Sequence, residues 1–290
     1  MPIVHHRYAT VDGHRLFFRE AGPREAPTVI LLHGFPTSSY MFRQLIPILA
    51  ERYRVIAPDM LGFGLSDAPS AGEFDYTFDA LALLTAGLLR TLGVDRYAIY
   101  VQDYGAPIGW RLALADPSAI TGIITQNGNA YDAGFVEDFW KAVWACQESP
   151  TPETEAPLRQ FLTMEATRWQ YVTGVADETF IDPETWRHDY ALLSRPGNDD
   201  IQLKLFTDYA TNPPLYPKVH EYFRQSRVPL LAVWGRGDEI FGPAGAAAFA
   251  KDLPSAEIHL LDGGHFLLES ALDESAALIT DFLDRTLTSG

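Results

Sequence analysis

The stretch from residue 96 to residue 116 carries the signature of a strand, a tight turn and a helix. An apolar run over residues 96–101 meets the polar turn Gln102-Asp103-Tyr104-Gly105, and a helical pattern begins at residue 106. A sharp turn of this kind, the nucleophile elbow, presents its central side chain at the top of a sheet, and that side chain is usually Ser. An aspartate there can attack saturated carbon and form an alkyl ester. The alternative interpretation is that Asp103 only caps the helix that follows.

Two further polar turns lie near the C-terminus. Asp238 and His265 each come shortly after an apolar, strand-like run. Because the carboxyl ends of parallel strands meet at one edge of a sheet, we expect both side chains to converge there with Asp103. The chain order nucleophile, acid, base is that of elbow hydrolases. Asp132 follows the preceding strand and is a second candidate for the acid, although the position of Asp238 favours Asp238.

These turns and the segment His33-Gly34-Phe35-Pro36 together resemble one enzyme family. From Asp12 to the last helix, the chain is similar to α/β-hydrolase-fold enzymes of the epoxide hydrolase and haloalkane dehalogenase branch. The resemblance implies an α/β fold with a mostly parallel central sheet flanked by helices and with an inserted helical cap. We expect a core domain at residues 1–127 and 218–290 and a cap at residues 128–217, where the alternation of strand and helix stops.

The resemblance also implies roles for particular residues. Asp103 would be the nucleophile and His265 the base that activates water, while Asp238 would orient the imidazole. The backbone N–H groups of Phe35 and Tyr104 would form an oxyanion hole. Four of the six tryptophans fall in the expected cap, which indicates an apolar substrate pocket. The expected pocket residues are Trp140, Trp144 and Tyr216.

The composition of the chain limits the classes of molecule that we expect the protein to bind. A formal net charge of −16 disfavours nucleic acid and anionic membrane surfaces as partners. Cys146 is the only cysteine, which fits a reducing cytoplasm, and no secretory signal or long apolar run is present. No metal-ligand spacing and no nucleotide or flavin motif appears, so no cofactor is expected. A homodimer is one assembly that the sequence allows.

The positions beside the nucleophile bear on the substrate. In the dehalogenases a Trp commonly follows the nucleophile and Asn or Glu commonly follows His-Gly, whereas this chain has Tyr104 and Phe35 there. Fluoroacetate dehalogenases typically carry Arg directly after the nucleophile and again three residues later, where this chain has Tyr104 and Pro107. These differences disfavour a halide-binding site and a carboxylate-bearing substrate.

An epoxide substrate needs an acid that protonates the ring oxygen. Similar enzymes use one or two cap tyrosines, and a phenol suits the task because it is neutral at pH 7. Tyr209 lies close to where the second of these tyrosines is expected, and Tyr216 is the nearby alternative. No Tyr occupies the place of the first, near residues 148–152. The candidates left to replace it are Tyr131, Tyr171 and Tyr190.

Three functions therefore remain open at the level of sequence. The first is epoxide hydrolysis to a vicinal diol, with a small, apolar and electrophilic substrate. The second is hydrolytic dehalogenation of a haloalkane. The third is a non-catalytic protein that keeps the pocket and binds small apolar molecules, and the intact set of Asp103, Asp238 and His265 argues against it.

Overall fold

The computed structural model describes residues 2–287. Eight strands and twelve α-helices alternate over much of this length, with short 3-10 turns between them. The strands are β1 (His5–Val11), β2 (His14–Ala21), β3 (Thr28–Leu32), β4 (Arg54–Pro58), β5 (Tyr97–Gln102), β6 (Ile120–Gln126), β7 (Leu230–Gly235) and β8 (Glu257–Leu261). The helices are α1 (Leu45–Leu49), α2 (Phe78–Thr91), α3 (Gly105–Ala115), α4 (Glu137–Glu148), α5 (Pro152–Gln160), α6 (Met164–Val172), α7 (Pro183–Leu193), α8 (Asn198–Asp208), α9 (Tyr216–Ser226), α10 (Pro243–Ala248), α11 (Leu267–Ser270) and α12 (Leu272–Leu287).

The strands form one sheet in the order β1-β2-β4-β3-β5-β6-β7-β8. The first two strands form a hairpin, and β2 pairs antiparallel with β4; every later pairing is parallel. The expected mostly parallel sheet is therefore confirmed. Because β3, β5, β6, β7 and β8 point the same way, the segments that follow them reach one edge of the sheet.

The side chains of β3 show how the sheet divides the core into two layers. Successive residues of a strand face opposite sides of the sheet. Val29 and Leu31 pack with residues of α1 and α12, whereas Ile30 and Leu32 pack with residues of α2 and α3. All four side chains are buried. Because helices cover both faces of the sheet, every residue of this strand can be apolar. If one face met water, apolar and polar residues would alternate along the strand.

Six helices, α4 to α9, occupy the chain between β6 and β7. The last of them packs against the core, because the ring of Phe223 in α9 lies 5.6 Å from that of Trp110 in α3. The division into a core and a cap at residues 128 and 217 stays a prediction. The structure shows a helical segment inserted at a single crossover of the sheet, between β6 and β7.

One expected helix is interrupted. The pattern over residues 39–52 predicts a single helix, but the structure has a 3-10 turn at Ser39–Phe42 and the short helix α1. Pro47 lies inside this stretch and has no backbone N–H to bond the preceding turn. The prediction of one continuous helix was therefore wrong.

No helix within residues 2–287 has the length and the apolar character needed to cross a lipid bilayer. Over the same residues, no group of three or more His, Cys, Asp or Glu side chains is arranged so that it could hold a metal ion.

Candidate active site

Asp103 lies in a strained turn between β5 and α3. Its φ of 47° places it in the left-handed region, which a non-glycine residue adopts only at a cost of roughly 1–2 kcal/mol. The next glycine, Gly105, starts α3 so close to β3 that a Cβ atom there would collide with the carbonyl group of Leu32. The turn therefore has the sharp geometry of an elbow, and it sets the Asp103 side chain at the carboxyl edge of the sheet.

The carboxylate of Asp103 is only 4% exposed and is held by backbone donors. Phe35 N–H donates to Oδ1 over 2.7 Å, and the N–H of the next residue, Tyr104, also faces the carboxylate. Burial raises the pKa of Asp103 above its usual range, while nearby His265 and these two N–H groups oppose the shift. The two residues expected to form an oxyanion hole therefore place their N–H groups against the same side chain.

The loop after β3 approaches Asp103 through Gly34. A Cβ atom on Gly34 would lie 2.5 Å from Asp103 Oδ1 and 2.6 Å from Gln102 Oε1, so only glycine fits without displacing the carboxylate. His33 supports this loop through both ring nitrogens, one 2.9 Å from the Gly34 carbonyl and the other accepting from Met60 N–H at 3.1 Å.

His265 and Asp238 form a buried pair. His265 Nδ1 lies 2.8 Å from Asp238 Oδ2, and His265 Nε2 lies 3.8 Å from Asp103 Oδ2. Burial disfavours the charged imidazole, but the charge of Asp238, its hydrogen bond and the charge of Asp103 outweigh burial and raise the pKa of His265. The three side chains are thus in the order that the sequence predicted, carboxylate, imidazole and carboxylate.

Asp238 is itself fixed by three donors. Its Oδ1 accepts from the N–H groups of Ile240 and Phe241 at 2.7 and 3.1 Å, and its Oδ2 accepts from Asn127 Nδ2 at 2.6 Å. Asp132, the other candidate for the acid, is exposed and lies in a 3-10 turn. The structure therefore brings Asp238, and not Asp132, to the imidazole.

Sequence reasoning missed three amides around the imidazole. Gln102 Nε2 lies 2.9 Å from His265 Nε2, and Gln126 Nε2 donates to the His265 carbonyl over 2.8 Å. Asn127, next to Gln126, binds Asp238. All three residues stand at the carboxyl ends of β5 and β6, and that placement was the one available signal in the sequence.

A cluster of aromatic rings packs around Tyr104, the residue after Asp103. Tyr209 is fully buried, with its ring 4.4 Å from that of Trp140 and 5.8 Å from that of Tyr104. Trp144 stacks on Trp140 at 5.1 Å. The indole N–H of Trp140 donates to the Ile240 carbonyl over 2.9 Å, so this donor is already used. These rings make the surroundings of the carboxylate apolar.

The hydroxyl group of Tyr209 lies among these rings, beside that of Tyr216. The hydroxyl is buried without a hydrogen bond of normal geometry to the residues described, and Tyr216 lies beside it. Burial above all, with smaller contributions from Tyr216, Asp103 and Tyr104, holds the pKa of Tyr209 well above its usual range. The hydroxyl of Tyr216 accepts weakly from Asn129 Nδ2 at 3.5 Å. Tyr209 is therefore a neutral phenol with a proton available to donate.

The three candidates for the first ring-opening tyrosine have different surroundings in the structure. Tyr131 donates to Asp252 over 3.0 Å, and Tyr171 donates to Asp189. Neither hydroxyl is therefore directed to Asp103. Tyr190 lies half-buried on α7. Tyr216, predicted from the sequence as an alternative to Tyr209, is its neighbour in the structure, so the two phenols lie together.

An elbow turn at the carboxyl edge of an eight-stranded, mostly parallel sheet, facing a His–Asp pair that follows the last two strands, defines the class of α/β hydrolases. The chain belongs to the α/β-hydrolase fold family, whose model, described as alpha/beta hydrolase fold, matches residues 27–272. The fold class expected from the sequence is thereby confirmed.

Individual relatives indicate the branch of this family to which the chain is similar. The chain is 43% identical over 268 residues to "Uncharacterized hydrolase YNR064C" of Saccharomyces cerevisiae, over 91% of this chain and 92% of that protein. It is 28% identical over 281 residues to a haloalkane dehalogenase of Psychrobacter cryohalolentis, over 93% of this chain and 87% of that protein. The crystal structure of haloalkane dehalogenase DbeA from Bradyrhizobium elkani matches with a TM-score of 0.76 at 23% identity, covering 100% of both chains. The protein is thus a hydrolase of this fold that is related to haloalkane dehalogenases.

Proposed function

We propose that this protein hydrolyses epoxides to vicinal diols through a covalent ester on Asp103. The observation that supports this most is that the two oxygens of the Asp103 carboxylate have different surroundings. Its Oδ1 accepts from Phe35 N–H, its Oδ2 faces His265, and the buried phenol of Tyr209 packs against the ring of Tyr104, the residue after Asp103. One oxygen is thereby left to attack carbon, and a proton donor stands ready for an oxygen leaving group.

In the first step, Asp103 Oδ2 forms a bond to one carbon of the epoxide. The bond from that carbon to the ring oxygen breaks, and the ring oxygen takes the electron pair together with the proton of Tyr209. Because the high pKa of Tyr209 keeps the phenol neutral, the proton is present at neutral pH. Tyr216, beside it, can share the charge that develops on the phenolate.

In the second step, His265 removes a proton from water and the oxygen of that water adds to the ester carbon. The negative charge develops on Oδ1, against the N–H groups of Phe35 and Tyr104. Collapse of the intermediate breaks the bond to the alkyl oxygen, which takes the proton from His265 and leaves as the diol. Asp238 stabilises the imidazolium between these two transfers. Asp103 then carries the oxygen and the second hydrogen of the water as a carboxylic acid, and its proton returns to the Tyr209 phenolate, which restores both groups.

Haloalkane dehalogenation is the second candidate, and its support is the dehalogenase relatives. A departing halide needs hydrogen-bond donors. The side chain of Phe35 has none, and the indole N–H of Trp140 already binds the Ile240 carbonyl. Tyr209 is the free donor that suits a departing oxygen, so the residues around Asp103 favour the epoxide. A protein that only binds small apolar molecules would not need the buried pair of His265 and Asp238.

The test is the intact mass of a His265→Gln variant after separate exposure to a small epoxide and to a bromoalkane. Removing the base traps the ester, so we expect a gain equal to the mass of the whole epoxide. A gain equal to an alkyl group without bromine would support the dehalogenase instead. A variant that carries both His265→Gln and Asp103→Asn is the control and should gain nothing. No gain in His265→Gln from any substrate size would rule out Asp103 as the nucleophile.

A further inference from the structure

Gln102 is a side chain of the site that neither step above uses. It is fully buried, and its Nε2 lies 2.9 Å from His265 Nε2. Since His265 Nδ1 binds Asp238, the imidazole carries its proton on Nδ1 and offers the lone pair of Nε2 to the Gln102 N–H. Gln102 therefore stabilises the tautomer that a general base needs, and it occupies the lone pair that must later receive the proton.

The other end of the amide is unsatisfied. Gln102 Oε1 is buried and has no hydrogen-bond partner among the residues described. Buried side-chain oxygens are nearly always bonded to protein or to ordered water, so an isolated one indicates a missing partner. An amide oxygen accepts hydrogen bonds only, and the partner must therefore be a donor.

The position of Oε1 identifies that donor. A Cβ atom placed on Gly34 would lie 2.6 Å from Gln102 Oε1 and 2.5 Å from Asp103 Oδ1, so the two oxygens are close to each other on the same side of the Gly34 backbone. The free oxygen thus lies near the carboxylate carbon that is attacked in the second step, while the amide nitrogen of the same side chain lies at the base. A water molecule that reacts with the ester must approach that carbon within reach of both His265 Nε2 and Gln102 Oε1.

We propose that Gln102 is a catalytic residue that binds the hydrolytic water together with His265; this inference depends on the proposed function. The amide N–H leaves His265 Nε2 when water enters. One hydrogen of the water then passes to Nε2 as a proton, while the other stays on oxygen and is donated to Gln102 Oε1. The water oxygen bonds to the ester carbon, and the electron pair of the carbonyl moves onto Asp103 Oδ1. When that pair returns, the bond to the alkyl oxygen breaks.

The test separates formation of the ester from its hydrolysis by rapid quenching and intact mass. Gln102→Met keeps the length of the side chain and removes both polar atoms. We expect ester formation within about threefold of the wild type and hydrolysis about 100-fold slower, because the water is no longer aligned. The ester should then accumulate during turnover, and kcat and KM should fall together. Gln170→Met is the matched control, since Gln170 is buried and its amide oxygen is unpartnered, but it makes no hydrogen bond to Asp103, Asp238 or His265.

A second variant covers the case in which Gln102→Met does not fold. Gln102→Glu keeps an accepting oxygen and places a negative charge at the imidazole, so the acidic limb of the pH profile for hydrolysis should move up by about one unit or more. Equal slowing of both steps in Gln102→Met, or an unshifted limb in Gln102→Glu, would show that Gln102 only fills space. Failure of His265→Gln to trap any adduct would overturn the proposed function and this inference together, whereas a trapped adduct with normal hydrolysis in Gln102→Met would overturn this inference alone.

Discussion

Gly34 and Asp103 approach so closely that a Cβ atom on Gly34 would lie 2.5 Å from Asp103 Oδ1. Both residues belong to loops at the ends of hydrogen-bonded strands, so neither can move away without disturbing the sheet. We therefore expect Gly34→Ala to slow ester formation about 100-fold, because displacing a nucleophile by about 1 Å has an effect of that size. Quenched-flow intact mass measures this rate. Gly72→Ala is the control, since the nearest atom to a Cβ there is 4.0 Å away; equal effects in both variants would contradict the argument.

Replacing Asp238 by Asn should act on the second step. The geometry can persist, but the imidazolium loses its stabilising charge, and hydrolysis should fall about 10³- to 10⁴-fold. Asp238 also raises the pKa of His265, so the acidic limb of the pH profile should move to lower pH in the variant. Single-turnover decay of the ester between pH 5 and pH 9 measures both effects. Asp132→Asn, at the exposed alternative acid, should leave the profile unchanged, and a large effect there would reassign the acid.

The phenol of Tyr209 distinguishes the two substrate classes. Tyr209→Phe should slow ester formation from an epoxide by about 10²-fold or more, which is typical of losing a general acid. Ester formation from a bromoalkane, which has no oxygen to protonate, should change far less. Stability should change little, because the hydroxyl makes no hydrogen bond of normal geometry to the residues described. Comparing both substrates in Tyr209→Phe and Tyr216→Phe shows which phenol donates, and an unchanged epoxide rate in both would exclude this role.

Asp189 makes stability depend on pH. Burial above all, with the nearby charge of Glu269, raises its pKa to about 7, against the opposing hydrogen bonds of Tyr171 and Thr37 and the charge of Arg43. A carboxyl group with a raised pKa in the folded state binds more protons there than in the unfolded chain, so its contribution to stability falls as pH rises from about 4 to 7. Asp189→Asn removes this dependence and still accepts from Tyr171. Its melting temperature should exceed that of the wild type at pH 8, with the difference shrinking towards pH 5; a constant difference would argue against the raised pKa.

The sequence allowed some residues of the candidate site to be predicted and not others. Asp103, Asp238 and His265 could be placed together because each follows a strand, and strand ends converge in a parallel sheet. Gln102 and Asn127 also stand at strand ends, but their contacts depend on the register of β5 and β6 and on the conformation of each amide. A single sequence does not encode those features in any local pattern.

The helical segment was harder to predict for a related reason. The tryptophans indicated an apolar pocket, and Trp140 does lie against Tyr209. Which aromatic residues keep a free polar atom is decided by contacts between distant elements, however. Trp140 gives its N–H to Ile240, 100 positions along the chain, and Tyr131 gives its O–H to Asp252. Only the folded arrangement shows that the Tyr209 hydroxyl is buried without such a protein acceptor of normal geometry among the residues described.

The two N–H donors at Asp103 come from the ends of neighbouring strands, β3 and β5, which run in parallel with Leu32 opposite Val101. Adjacent strands lie about 4.8 Å apart by virtue of their backbone hydrogen bonds alone. The distance between the two N–H donors is thus determined by the spacing of the strands and does not depend on the helices between β6 and β7. Exchanging those helices for others could change which molecules reach the carboxylate while the reacting atoms keep their spacing, so substrate choice and bond-making are modular in this architecture.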